Sequence, residues 1–388
     1  MLQSSDAAYG PVMAKCAEFD RRLMEDLTKA GGAEYAAIAA LSYRQSIAAH
    51  KLAVDLDGTL LFFSKENFSN GSINTVDVFY PSAPLFLLVN PRLLRGSVEP
   101  ILQYGSMSRW PWPYAPHDLG TYPLANGQTY GGGEKTEQNQ MPVEESGNML
   151  ILVGALAKAG QTDLANKYWP MLTKWAEYLR DKGLDPENQL CTDDFAGHLA
   201  RNANLSLKAI EGLGAYAMLA QMLGRSGEAK AYRAIAEDYA AKWVRMAADG
   251  DHTVLAFGNP ATWSQKYNLV WDKILGLNLF PPEVARKEVA YYKTKQNVYG
   301  LPLDNRAAYT KLDWLVWSAT LAENSADFRA LIAPAYKWMN ETPTRVPLTD
   351  WYMTTDGKQR GFQARSVVGG VFIKMLAEEG MWAKWRGM

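Results

Sequence analysis

Amphipathic helical segments come in pairs along almost the whole chain. From Asp163 to Leu179 apolar residues recur every three or four positions, which indicates a helix with one buried face. The segment from Asn204 to Leu223 carries small and apolar residues on every side, as a helix packed all round does. After the break at Gly224–Gly227, a one-faced pattern returns from Glu228 to Met246. This alternation restricts the chain to an array of helical hairpins.

The same alternation predicts helices throughout the sequence. Inner helices are expected at 34–50, 76–88, 143–158, 201–223, 264–277, 311–321 and 364–378. Outer helices are expected at 6–30, 91–105, 162–181, 226–247, 282–293 and 324–340. Because the repeat has no fixed period, a closed array fits better than a solenoid. We predict an all-α fold, an (α/α)6 toroid of helical hairpins, in one catalytic domain covering 1–388.

The connections from outer to inner helices are long. They cover 51–75, 106–142, 182–200, 248–263, 294–310 and 341–363. Long loops that leave one end of a toroid are expected to emerge on one face and surround a functional cavity. In the first of them, Val54–Phe63 alternates around Asp57-Gly58, which predicts one small β-hairpin insertion.

Charge and composition exclude several classes of partner. Forty Lys plus Arg against 41 Asp plus Glu leave a net charge of −1, and no basic stripe could neutralise a phosphate backbone, so nucleic acid is not expected as a partner. The longest apolar stretches fall short of the roughly 20 residues that a membrane span needs, so no membrane insertion is expected. Thirteen Trp and 20 Tyr, many in loop segments, favour a small-molecule ligand surface. The oligomeric state stays open.

Standard catalytic and cofactor motifs are missing from the sequence. It has no phosphate-binding loop, no His-Glu-x-x-His and no Gly-x-Ser-x-Gly, and it holds four His and two Cys without metal-site spacing. We therefore expect no cofactor and no metal among the site residues, with a structural Ca²⁺ among the acidic loops left open.

Carboxylates in the long loops and at the starts of inner helices remain as candidates. Crowded acids have separated pKa values, so one can donate a proton while another accepts one. The predicted catalytic residues are Asp194, Asp304 and Glu144. The predicted substrate-binding residues are Asp77, Asp118, Glu134, Glu145, Asp193, Trp263, Lys266, Arg306, Asp350, Trp351 and Arg365.

Structural roles remain open for several of these candidates. Glu144, Glu145 and Asp350 could each stabilise a helix N-terminus through the macrodipole, and Arg306 and Arg365 could pair with structural neighbours.

The adjacent acids Asp193 and Asp194 have no evident stabilising role. The like charge of Asp193 favours the neutral form of Asp194, which predicts a general acid, whereas Arg306 favours an ionised Asp304, which predicts a general base.

Several motifs resemble those of the glutaminase A family of bacteria and fungi. The longest string is Gly120-Thr-Tyr-Pro-Leu-Ala-Asn-Gly-Gln-Thr-Tyr-Gly-Gly-Gly-Glu134. Further matching segments are Met141–Met149, Cys191–His198, Trp263–Asp272, Gly300–Arg306 and Gly361–Gly370. The resemblance implies a helical domain like that of six-hairpin glycosidases, preceded in family members by a β-rich region and an export signal. It thereby implies a secreted or periplasmic protein, although this chain begins in the helical part and carries no signal peptide.

The resemblance implies a hydrolase that converts the side-chain amide of glutamine to glutamate and ammonia. An alternative is an inverting glycoside hydrolase acting on oligosaccharides in carbohydrate metabolism, because related toroids often carry their acid and base in the loops that hold Asp194 and Asp304. Those two carboxyl groups would then lie about 6.5–9.5 Å apart. A second alternative is a non-catalytic carbohydrate-binding module.

Overall fold

The computed structural model of the chain describes residues 2–191 and 197–386. Its helices are α1 (Leu2–Gly31), α2 (Ala33–Ala48), α3 (Val76–Val89), α4 (Pro91–Gly105), α5 (Pro142–Lys158), α6 (Thr162–Lys167), α7 (Trp169–Lys182), α8 (Ala203–Met222), α9 (Ser226–Ala247), α10 (Val270–Leu275), α11 (Pro282–Lys295), α12 (Leu312–Thr320), α13 (Ser325–Glu341), α14 (Ile373–Ala377) and α15 (Met381–Arg386). Short 3-10 helices precede α10 (Tyr267–Leu269) and α14 (Ser366–Phe372). The strands are β1 (His50–Val54), β2 (Leu60–Ser64), β3 (Ala248–Asp249), β4 (His252–Thr253), β5 (Tyr309–Lys311) and β6 (Trp351–Met353).

Six helical units of the described chain close into an inner ring. α3 contacts α5, α5 contacts α8, and α8 contacts the 3-10 turn that leads into α10. α10 contacts α12, and α12 contacts the 3-10 turn that leads into α14, which returns to α3. Side chains of α5 are buried without interruption from Val143 to Ala157, which is why its sequence has no polar face. The predicted all-α toroid is therefore confirmed.

The outer helices bury one face each. In α9, Tyr232, Ala236, Ala240 and Trp243 are buried at helical spacing, while the charged positions between them face water. None of the described helices combines the length and hydropathy that crossing a bilayer requires.

The position of α2 corrects one prediction. The segment 34–50 was expected in the inner ring, but α2 buries one face, against α13 and the 3-10 turn before α14, while α1 packs on its outside. α2 is therefore an outer helix, and α1 is an additional layer beyond it. The many alanines of α2 predict a helix that is packed on all sides. They instead allow close approach of the neighbouring helices at the outer wall.

The predicted β-hairpin is confirmed by β1 and β2, which pair antiparallel with Val54 opposite Leu60. Gly58 adopts a φ of 88° at its tip, a conformation that glycine accepts without steric cost. Two further pairs, β3–β4 and β5–β6, escaped the sequence analysis because strands of two or three residues leave no period to detect.

The long loops cover 49–75, 106–141, 183–202, 248–266, 296–311 and 342–365, and we number them first to sixth. Hydrogen bonds link each loop to the next around the ring, except that the third loop is bonded to Val143 in the first turn of α5, directly after the second loop. The bonds run from Ile73 N to Gly120 O, Val143 N to Gln189 Oε1, Phe257 N to Arg201 O, Gln265 N to Leu303 O, Thr354 N to Ala308 O and Asn67 Nδ2 to Ala364 O. The described parts of all six loops therefore gather on one face, as predicted.

Candidate functional site

A cavity of about 260 Å³ opens among the long loops. Its lining comes from the first, second, third, fifth and sixth loops and from the start of α3. The residues are Glu66, Ser69, Asn70, Asp77, His117, Tyr130, Met141, Leu190, Cys191, Lys311, Trp351, Phe362 and Arg365. Acids, bases and aromatic rings thus share one small space.

Asp77, His117 and Glu145 form a compact group at this cavity, which we call the triad. Each offers one side-chain nitrogen or oxygen, and these three atoms lie within 4.8 Å of one another. Asp77 and Glu145 stand in the first turns of α3 and α5, and His117 is held beside them because the N–H of Val76 donates to its carbonyl. Neighbouring inner helices and the second loop therefore position the triad.

The imidazole of His117 is fixed on two sides. Its Nδ1 lies 2.9 Å from Asp118 Oδ2, its Nε2 lies 3.8 Å from Asp77 Oδ1, and its ring stacks on Tyr130 with centroids 4.1 Å apart. Burial alone would lower the pKa of His117, but the hydrogen bond to Asp118 and the charges of Asp77 and Glu145 raise it to about 10.

Asp118 orients this ring. It is completely buried, and its carboxylate accepts hydrogen bonds from the backbone N–H groups of Gly120, Thr129 and Tyr130. Asp118 is absent from the cavity wall, so its contact with the cavity runs through His117.

Burial raises the pKa of three acids at or directly behind the cavity wall, which are Glu145, Asp77 and Glu66. The pKa of Glu145 stands well above its ordinary value, and the pKa of Asp77 is raised in the same direction. For Glu66, burial and the charge of Asp77 raise the pKa. Glu145 Oε2 accepts a hydrogen bond of 3.0 Å from Asn148, whereas its buried Oε1 has no partner among the described residues.

A second charged network also borders the cavity. Arg365 donates to both oxygens of Asp350, with Nη2 at 2.6 Å from Oδ2, and its guanidinium lies over the ring of Phe362. Lys311 donates to Asp313 at 3.2 Å, and burial raises the pKa of Asp313 to about 6 against the charge of Lys311. Asp350 therefore anchors Arg365 from behind, and Arg365 itself reaches the cavity.

The remaining candidates are placed elsewhere. Glu144 is buried against Lys208, Glu134 accepts from Arg109 and Tyr104, and Lys266 donates to Ser264. Asp304 accepts from the backbone and guanidinium of Arg306. None of these, nor Trp263, is among the residues that line this cavity in the described chain. Asp193 and Asp194 lie outside the described residues.

Of the predicted site residues, Asp77, Trp351 and Arg365 line the cavity, and Asp118, Glu145 and Asp350 stand directly behind it. Sequence reasoning missed His117, although it precedes Asp118 and is one of only four histidines. It also missed Glu66, whose two oxygens accept from Ser69 and Thr75.

A family model and two curated relatives match most of the chain. The model of the Glutaminase A six helical-hairpin domain matches residues 32–375. Glutaminase A of Aspergillus oryzae is 40% identical over 382 residues, covering 95% of this chain and 54% of the relative. A probable glutaminase of Arthroderma benhamiae is 32% identical over 452 residues, covering 93% of this chain and 52% of the relative. The chain therefore spans about half the length of these curated relatives.

Solved structures of glycosidases share this fold. A wild-type glycosidase matches with a TM-score of 0.63 at 13% identity, covering 91% of this chain and 98% of that one. A GH63 mannosylglycerate hydrolase from Thermus thermophilus matches with a TM-score of 0.54 at 11% identity, covering 87% of this chain and 99% of that one. At such identities the likeness establishes the toroid alone. By sequence, the chain belongs to the Glutaminase A six helical-hairpin domain family.

Proposed function

We propose that this chain is a hydrolase that converts glutamine to glutamate and ammonia in the cavity of about 260 Å³ among the long loops, which we call the loop-face cavity. The observation that carries the proposal is the cavity itself, which combines the triad with a fixed Arg365 in about 260 Å³. That volume lies below the roughly 300–1,000 Å³ typical of drug-sized ligands, so it suits a small polar molecule better than an oligosaccharide. The relationship to a protein named Glutaminase A supports the same substrate.

Amide hydrolysis needs a proton acceptor and a proton donor close together. Water adds its oxygen to the amide carbon and gives up a proton, the C–N bond breaks, and the nitrogen leaves as ammonia after taking a proton. Asp77, His117 and Glu145 supply two carboxyl groups and an imidazole around one point. The reaction is therefore assigned to the triad.

Charged groups on the cavity wall suit the two ends of a free amino acid. Arg365 uses Nε and Nη2 to hold Asp350, and its Nη1 has no hydrogen bond within the described chain, so this edge can receive an α-carboxylate. Glu66 can accept from an α-ammonium. Specificity for glutamine would follow from the distance between these anchors and the triad.

A glycoside hydrolase remains the second candidate. Trp351, Phe362 and Tyr130 line the same cavity, and aromatic rings of this kind pack against sugar faces. The space suits one terminal sugar ring.

A direct assay separates the candidates. Purified protein is incubated with glutamine, asparagine and a panel of aryl glycosides, and ammonia and aryl alcohol are measured. Ammonia from glutamine with no glycoside turnover is the expected result. Glycoside turnover without ammonia would replace the proposal by the second candidate, and saturable sugar binding with no turnover would favour a binding module.

A further inference from the structure

The triad has the composition of a metal site as well as that of an acid/base site. We propose that Asp77, His117 and Glu145 bind one divalent cation of the Zn²⁺ type. The inference is independent of which substrate the cavity hydrolyses, since it concerns the binding of the ion itself. Its support comes from the ligand set, the orientation of the imidazole, and a buried oxygen without a partner.

The ligand set selects among cations. One imidazole nitrogen and two carboxylate oxygens are ligands that Zn²⁺ takes, and three protein ligands leave the fourth tetrahedral position for water or substrate. Ca²⁺ and Mg²⁺ prefer oxygen ligands throughout, so the imidazole disfavours them. Asp77 and His117 both border the cavity, which gives the ion and its fourth ligand a route in.

The imidazole is oriented as a metal-binding histidine usually is. Its Nδ1 is 2.9 Å from Asp118, and this buried carboxylate is itself fixed by three backbone N–H groups. The carboxylate on the far nitrogen keeps the Nδ1 proton, so a cation would bind at Nε2 and displace the proton that the neighbouring acids favour there. Stacking on Tyr130 restricts rotation of the ring. Nε2 then faces Asp77 at 3.8 Å.

Glu145 supplies an observation of a different kind. Its side chain is fully buried, Asn148 holds Oε2, and Oε1 finds no hydrogen-bond partner among the residues the structure describes. A buried polar atom without a partner costs about 1–3 kcal/mol. A cation in the triad would satisfy that oxygen.

The spacing requires a small contraction on binding. Zinc bonds of about 2.1 Å in a tetrahedron hold ligand atoms roughly 3.4 Å apart. The distance of 3.8 Å between Asp77 Oδ1 and His117 Nε2 is close to this value. The three ligand atoms of the triad lie up to 4.8 Å apart, so the site must contract when it binds the ion. Rotation of the Glu145 carboxylate can close the remaining distance, because Asn148 holds only its Oε2.

Isothermal titration calorimetry measures zinc binding directly. Protein is stripped with EDTA, dialysed and titrated with ZnSO₄, and bound metal is counted after desalting. We expect one ion per chain. Asp77→Asn, His117→Asn and Glu145→Gln should each abolish that binding, and Asp118→Asn should weaken it by about 10–100-fold.

His252 offers a matched control. It lies 2.9 Å from Asp251 and 3.7 Å from Asp249, so it is another histidine between two carboxylates, but outside the cavity. His252→Asn should leave zinc binding unchanged, and circular dichroism should verify that every variant folds. Zinc binding that survives all three triad substitutions, or that is lost in His252→Asn, would overturn the proposal, as would no binding at all. Zinc bound without turnover of glutamine would instead refute the proposed function alone.

Discussion

The buried ion pair between Glu144 and Lys208 tests whether Glu144 serves stability rather than catalysis. Their side chains are 1% and 0% exposed, and Oε1 and Nζ lie 2.5 Å apart. At an effective dielectric constant of about 20, charges at this distance attract by roughly 7 kcal/mol, and desolvation of both groups offsets much of that gain. Removing one partner leaves the other charge buried. We therefore expect Lys208→Met to destabilise the fold by about 3–5 kcal/mol.

Urea unfolding followed by far-ultraviolet circular dichroism measures this loss as a fall in the midpoint concentration. Lys208 also lies 4.7 Å from the ring centroid of Tyr80, so part of the loss is packing. The double variant Glu144→Gln with Lys208→Met removes both charges and should regain more than half of the lost stability. A Lys208→Met variant that loses under 1 kcal/mol, or a double variant whose losses simply add, would refute this reasoning.

Three further predictions follow from other parts of the structure. Arg365→Lys should raise the KM for glutamine at least tenfold with a smaller change in kcat, because a single ammonium cannot hold Asp350 and a substrate carboxylate together. Steady-state kinetics of Arg92→Lys, on the exposed start of α4, provide the control. A KM for Arg365→Lys equal to that of the wild type would contradict the role of Arg365 in binding the substrate carboxylate. Burial lowers the pKa of His50 from 6.5 to about 4, so the stability contributed by its neutral ring is fully present above pH 6.5. The free energy of unfolding should fall by up to about 3 kcal/mol as the pH falls from 6.5 toward 4. Urea unfolding at both pH values should show a larger fall in the wild type than in His50→Asn. Gly370→Ala should lower the melting temperature, because its Cβ would stand 2.6 Å from the carbonyl oxygen of Pro81. Gly227→Ala in α9 meets open space and should raise the melting temperature slightly. A higher melting temperature for Gly370→Ala than for Gly227→Ala would contradict this packing at Gly370.

The helices could be predicted closely because their buried positions are apolar and their exposed positions are polar, at helical spacing. α4 and α9 begin and end at the predicted residues, since each carries one apolar stripe between clear breaks. α2 was misplaced because a helix rich in alanine packs well in either layer. Ring position depends on contacts between distant segments, and local periodicity does not record them.

The site was predictable as a set of loops but not as a set of contacts. Glu144 and Glu145 are adjacent in sequence, yet about 100° separates neighbours on a helix, so one turns toward Lys208 and the other toward His117. No local pattern distinguishes them. His117 stands in a loop, and its role depends on Asp77 and Glu145, which reach it from α3 and α5. The roles predicted for Asp194 and Asp304 stay predictions.

We assign the hydrolytic chemistry to the triad in the loop-face cavity. The most direct test is kcat/KM for ammonia release from glutamine by Asp77→Asn, compared with Asp272→Asn. Asp272 is another partly buried acid, but it accepts from Leu279 and Phe280 in a short turn at the opposite end of the toroid. We expect a loss of at least about 1,000-fold for Asp77→Asn and near-wild-type turnover for Asp272→Asn. Near-wild-type turnover by a folded Asp77→Asn variant would contradict this assignment.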